Sequence, residues 1–200
     1  MTTPGGLRPA VFLDRDGVLN EAVVREGKPY PPQSPDEVVV VPGMGAACAR
    51  MREHGFVLVV VTNQPDVARG RQTAAGVEAI NAVLRAEVPL DAVYVCLHDN
   101  EDGCRCRKPR PGMLLAAAED LSLALGRSFM VGDRWSDIAA GRRAGCRTVY
   151  IDRGYQEQRP IAPDHVVGHP VEALDWVLTT VRLEGGGRDR STSVRHQDLC

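Results

Sequence analysis

Asp14 and Asp16 stand two residues apart where the apolar run Ala10–Leu13 gives way to the turn residue Gly17. Carboxylates at that spacing can work on one ligand from two sides, one as nucleophile or cation ligand and the other as proton donor or acceptor. Alone, Asp-Arg-Asp-Gly also fits a polar turn, and D-x-D occurs in metal-dependent sugar transferases. Further polar groups follow in order. Thr62, Asn63 and Gln64 close the β-branched run Phe56–Val61, where a hydroxyl and amides can donate hydrogen bonds to a phosphoryl oxygen or merely cap a turn. Lys108 supplies a compact ammonium suited to neutralising a transferring phosphoryl group, and Arg107 beside it a planar fork that can grip an anion. Asp133 follows the apolar run Ser128–Val131 and can share a hard cation such as Mg²⁺ with Asp14. Asp137, one helical turn later, can orient Lys108.

Cys96, His98, Cys104 and Cys106 crowd into one loop that has few apolar residues to hold it. Three thiolates and an imidazole complete a tetrahedral zinc shell with no open position, so a zinc ion there is structural; a redox-active or coincidental cluster is the alternative. Cys48, Cys146 and Cys200 receive no function.

The elements that must carry these groups alternate between strand and helix. Strands are expected at Ala10–Leu13, Phe56–Val61, Ala92–Leu97, Ser128–Val131 and Arg147–Asp152, with short ones at Val38–Val41 and Val166–Val167. Helices are expected over Gly43–His54, from the cap Thr73 onward, over Gly112–Leu125, over Asp137–Ala144 capped by Ser136, and over Val171–Leu183. This β-α-β alternation predicts an α/β fold with a mainly parallel sheet, helices on both faces, and a site at the strand ends. Glu21–Pro42 contains Pro29, Pro31, Pro32 and Pro35 and reads as a flap whose Arg25, Lys28 and Tyr30 face either a ligand or solvent. Residues 1–184 form one domain, and 185–200 read as a disordered polar tail.

The 200 residues suit a single core, and a net charge of −2 offers no global field for nucleic acid or an anionic membrane. No run has the length of a membrane span, and the first nine residues lack a signal-peptide core. A cytoplasmic, monomeric protein acting on a small phosphorylated metabolite is the expectation.

Phe12-Leu-Asp-Arg-Asp-Gly-Val-Leu-Asn20, Val60-Val-Thr-Asn-Gln64, Arg107-Lys-Pro109 and Gly132-Asp-Arg-Trp-Ser-Asp137 resemble motifs I to IV of the haloacid dehalogenase (HAD) superfamily. With a Cys3His loop before the third motif, the chain resembles its capless phosphatases, which include the heptose bisphosphate and histidinol-phosphate phosphatases. The resemblance implies a Rossmann-like HAD fold with a zinc-pinned loop and no cap domain. It further implies Asp14 as nucleophile, Asp16 as general acid and base, and Thr62 and Lys108 as phosphoryl stabilisers. Mg²⁺ would sit on Asp14, Asp133 and the backbone carbonyl of Asp16. Arg107 and Arg134, with Asn63, Gln64 and the Arg69 loop, would meet the substrate.

Val67-Ala-Arg-Gly70 and Arg107-Lys-Pro-Arg-Pro-Gly-Met113 resemble the heptose bisphosphate group, and cations at Arg69, Arg107, Arg110 and Arg134 suit a second phosphate. Arg25-Glu-Gly-Lys-Pro-Tyr30 departs from that group's pattern. The five residues between His98 and Cys104 match the histidinol-phosphate group, which remains the alternative. A zinc-stabilised binding module without turnover is the alternative of another class, and intact Asp14 and Asp16 argue against it.

Overall fold

The computed structural model describes residues 6–186. The expected tail, 185–200, lies outside the described residues from 187 onward, and Cys200 with it. Six parallel strands form the central sheet in the order β5-β4-β1-β6-β7-β8. They are β1 (Ala10–Leu13), β4 (Val57–Asn63), β5 (Ala92–Cys96), β6 (Phe129–Gly132), β7 (Arg147–Ile151) and β8 (His165–Val167). The chain runs outward from β1 through β4 to β5, then crosses to β6 on the other side of β1. This reversal of strand order opens a crevice at the carboxyl ends of β1 and β6, the usual ligand position in open α/β sheets.

Side chains alternate across the sheet, as strand geometry requires. Val11 and Leu13 of β1 face one core with Met44, Ala47, Cys48 and Met51 of α1 (Met44–Glu53) and Ala173, Leu174 and Val177 of α5 (Pro170–Gly186). Leu84 of α2 (Ala74–Glu87) joins this layer. Ala10 and Phe12 face the other core, with Met113, Leu114 and Ala117 of α3 (Gly112–Asp120) and Ala140 and Ala144 of α4 (Trp135–Ala144). All four β1 residues are fully buried, so β1 is a rigid mount for the Asp14 that follows it. Its register on β6 pairs Val11 with Phe129 and Leu13 with Val131. Ser128 Oγ helps set that register by accepting from the Ala10 N–H at 2.9 Å while donating to the Ala124 carbonyl at 2.7 Å.

Several boundaries differ from the sequence expectation. The flap contains an antiparallel hairpin of β2 (Val23–Arg25) and β3 (Lys28–Tyr30). Pro29 hides that hairpin from pattern reading, yet an isolated two-stranded ribbon has free edges where a missing N–H is tolerated. Val38–Val41 is not a strand; Val40 makes a single bridge to Asn20. Helix α3 stops at Asp120, and Ser122 takes a positive φ of 53°. Helix α4 begins at Trp135, one residue ahead of the expected cap Ser136. Between β1 and α1 the chain holds only the hairpin and a 3-10 turn at Pro35–Glu37. No described helix is long and apolar enough to cross a membrane.

Candidate active site

Strand termini bring the chemistry together. Asp14 follows β1 with its N–H on the Val131 carbonyl at 3.0 Å, Thr62 and Asn63 end β4, and Asp133 follows β6. Lys108 arrives from the loop after β5. The residue is 3% exposed, and its ammonium meets Asp14 Oδ1, Asp137 Oδ1 and the Val61 carbonyl, each at 2.7 Å. Burial alone would depress an ammonium pKa, but the Asp137 and Asp14 charges outweigh it and raise that of Lys108. The Lys108 backbone is clamped by Asn63, whose amide accepts from the Lys108 N–H at 3.1 Å and donates to its carbonyl at 3.0 Å.

Carboxylate oxygens of Asp14, Asp133 and Asp137 lie within 4.8 Å of one another. Against them stands one ammonium, so with all three carboxylates ionised the buried cluster carries two negative charges in excess. Both Asp133 oxygens are buried and form no ion pair among the described residues; the Tyr155 hydroxyl is the donor that faces them. Burial first, then the Asp14 and Asp137 charges, push the Asp133 pKa well up. Burial also raises Asp14, to about 6, with Asp137 and Asp16 adding to the rise and Lys108 opposing it. Three converging hard carboxylates, whose ionised form leaves two charges uncompensated, suit a divalent cation of the Mg²⁺ type. The approach is close: Gly17 has φ +84°, and a Cβ built on it would overlap Asp133 Oδ2.

Asp16 is held separately. Arg15 grips its carboxylate with Nε at 3.1 Å and Nη2 at 3.0 Å, while Asn20 and Gln64 donate amide hydrogens at 3.0 and 2.9 Å. Arg15 is itself fully buried, with Nη1 on Asn81 Oδ1 of α2 at 3.1 Å. Such a bidentate grip fixes the plane of the carboxylate as well as its position. Gln64 also donates to Thr62 Oγ1 at 2.8 Å, which leaves the Thr62 hydroxyl hydrogen available to a ligand.

An open cleft of about 240 Å³ lies over this floor, with Asn63, Arg69 and Arg134 on its walls. Gln64 and Arg107, expected at the substrate, do not line this cleft. Gln64 is 3% exposed and turned to Asp16 and Thr62. Arg107 is not a wall residue; it donates to Asn100 Oδ1 at 2.8 Å and the His98 carbonyl at 3.3 Å, bracing the cysteine loop. Arg134 pairs with Glu157 at 2.6 Å, and its N–H donates to Asp137 Oδ2 at 3.0 Å, the contact that starts α4 in place of a Ser136 cap.

Cys96, His98, Cys104 and Cys106 present their donor atoms within 4.8 Å of one another. Sulfur separations run from 3.2 Å for Cys96 and Cys106 to 3.7 Å for Cys96 and Cys104, and His98 Nδ1 lies 3.4 Å from Cys106 Sγ. A tetrahedron of thiolates at a zinc–sulfur distance of 2.3 Å has edges of about 3.8 Å; the Cys96–Cys104 separation fits that edge, while Cys106 sits closer to both at 3.2 and 3.4 Å, so the donor set and its clustering suit a zinc shell. Arg69 ties this loop to the one after β4 through two 2.7 Å bonds to Asp99.

Sequence reasoning missed Arg15, Asn20 and Asn81. Arg15 passes for the spacer of D-x-D. Asn81 carried a readable signal, since it interrupts the buried face Val77, Ile80 and Leu84 of α2 with a polar side chain.

A family profile described as HAD-hydrolase-like matches residues 105–173. The D-glycero-beta-D-manno-heptose-1,7-bisphosphate 7-phosphatase of Escherichia coli K12 is 35% identical over 185 residues, covering 86% of this chain and 90% of that protein. The D-glycero-D-manno-heptose-1,7-bisphosphate 7-phosphatase of Thermosynechococcus vestitus is 34% identical, over 86% of this chain and 96% of that protein. Among solved structures, the D,D-heptose 1,7-bisphosphate phosphatase of B. bronchiseptica, complexed with magnesium and phosphate, superposes with a TM-score of 0.72. It is 31% identical over 86% of this chain and 99% of that one. With the parallel sheet, the strand-end carboxylates and the buried lysine in place, the chain belongs to the HAD phosphatases, in the family of the heptose-1,7-bisphosphate 7-phosphatases.

Proposed function

We propose that this phosphatase removes the 7-phosphate of D-glycero-D-manno-heptose 1,7-bisphosphate through an aspartyl-phosphate intermediate. The observation that carries the mechanism is Lys108 fixed on Asp14 Oδ1, which leaves the other oxygen of that carboxylate free at the cleft floor. The similarity to heptose bisphosphate phosphatases over most of both chains supports the substrate.

Asp14 attacks phosphorus with its free oxygen as the bond from phosphorus to the sugar oxygen breaks. Asp16, which must enter this step protonated, gives that proton to the departing alkoxide. It then takes a proton from the water that attacks the aspartyl phosphate, releasing inorganic phosphate and restoring Asp14. Lys108 and the Thr62 hydroxyl stabilise charge on the transferring group. Arg15, Asn20 and Gln64 keep the Asp16 carboxylate aimed. Asp14 and Asp133, with the backbone carbonyl of Asp16, would hold Mg²⁺, which when bound offsets the repulsion between a carboxylate nucleophile and a phosphate dianion. The Cys96, His98, Cys104 and Cys106 cluster would hold Zn²⁺ as a structural ion that anchors the loop leading to Lys108. Substrate access is direct, past the hairpin and the Arg69 loop, and the protein acts as a monomer on a small metabolite in the cytoplasm.

Asp14→Asn lowers phosphate release from heptose bisphosphate about a thousandfold or more while the circular dichroism spectrum stays that of the parent. Retained activity in a folded variant contradicts the nucleophile assignment.

Metal and pH are linked through the same carboxylate. Asp14 binds its proton more tightly in the folded chain than a free aspartate, which titrates at 3.8, so its contribution to metal-free stability is full below that pH and is lost as pH rises through about 6. Mg²⁺ selects the ionised form, so its stabilising effect on the melting temperature is larger at pH 7.5 than at pH 5; an equal shift at both contradicts the site.

Cys104→Ser removes zinc from the purified protein and lowers the melting temperature by more than about 5 °C. Unchanged metal content and melting temperature contradict the structural zinc.

A further inference from the structure

The floor of the cleft accounts for one phosphate, but its walls carry more positive charge than one phosphate uses. Most of that charge is already matched. Lys108 is shared by Asp14 and Asp137, Arg134 by Glu157, and Arg69 by Asp99 and Asp66, while Arg71 stands 4.0 Å from Asp66. Lys28 is different. It lines the same cleft from β3, and its ammonium has no hydrogen-bond or ion-pair partner among the described residues.

Hairpin pairing sets Lys28 apart from its cationic neighbour. Lys28 lies directly opposite Arg25 in the β2–β3 register, and like charges facing each other across strands destabilise a ribbon. Arg25 is drawn over the Tyr30 ring, 5.8 Å from its centroid, leaving Lys28 to the cleft.

The position is also well held. Glu26 and Gly27 both have positive φ, 50° and 72°, as a tight two-residue hairpin turn demands. The Gly27 carbonyl accepts from the Gln156 N–H at 2.8 Å. Arg153, three residues before Gln156, donates to the Gly17 carbonyl at 3.0 and 2.8 Å, so one loop braces both the hairpin turn and the turn after Asp16. A lysine on a braced hairpin over a reactive floor is placed to read the far end of a bound molecule.

We infer that Lys28 is a specificity residue that binds the second, unreacted phosphate of a sugar bisphosphate while the first lies on Lys108 and Asp14. This rests on the proposed bisphosphatase reading and assigns part of its selectivity to one side chain. A charge-assisted contact of this kind gives about 10- to 100-fold in discrimination.

The test compares kcat/KM for heptose 1,7-bisphosphate with that for the 7-monophosphate, in the wild type, Lys28→Gln and Lys28→Arg. The bisphosphate-to-monophosphate ratio should fall about 10- to 100-fold in Lys28→Gln, chiefly through KM for the bisphosphate, and return to within about threefold in Lys28→Arg, which restores the charge. A ratio unchanged in Lys28→Gln, or a wild type that treats both esters alike, overturns the assignment. A wild type inactive on both heptose esters fails the substrate reading instead. The same ratio is then read on hexose bisphosphate and monophosphate pairs, where its loss or retention decides the role of Lys28 in the same way.

Discussion

A buried ammonium between two buried carboxylates organises this molecule. Lys108 touches Asp14 and Asp137 at 2.7 Å with almost no exposure, and removing such charges from water is costly unless each is matched. The match is incomplete, because Asp133 adds a third buried carboxylate that forms no ion pair among the described residues and faces only the neutral Tyr155 hydroxyl. The cluster therefore holds Asp14 oriented but electrostatically loaded. That condition favours a divalent cation and, once the cation is present, a phosphoryl group carrying negative charge of its own.

Holding Lys108 in place draws on distant parts of the chain. Asn63 clamps its backbone from the end of β4, 45 residues away in sequence, and the cysteine loop fixes the approach to it from β5. Asp16 depends on a different line of contacts, from Asn81 on α2 through Arg15. The nucleophile and the proton carrier are thus positioned by separate sets of side chains, although only Arg15 divides them. Sheet rigidity makes this workable: β1 and β6 are buried throughout, so their terminal carboxylates keep their spacing.

What could be read from the sequence follows from how local each feature is. Asp14, Thr62 and Asp133 were legible because each directly follows or ends an apolar run, and parallel strands deliver such residues to one edge. The cysteine loop was legible from donor type and spacing alone. Side-chain destinations were not. Gln64 reaches Asp16 across 48 residues, and Arg107 turns back to Asn100 and His98, and neither direction is encoded in nearby pattern. The β2–β3 hairpin was hidden by Pro29, and the early end of α3 by an apolar run that continues past Asp120 through Leu121 and Leu123.

The account turns on Asp14 forming a bond to phosphorus, which makes hydrolysis two in-line displacements. The direct measurement is the stereochemical course at phosphorus, using a substrate whose 7-phosphate is made chiral with oxygen isotopes and sulfur. Two displacements give net retention of configuration, the predicted result. Net inversion would mean that water attacks the substrate in a single step, and would contradict the role of Asp14 as nucleophile.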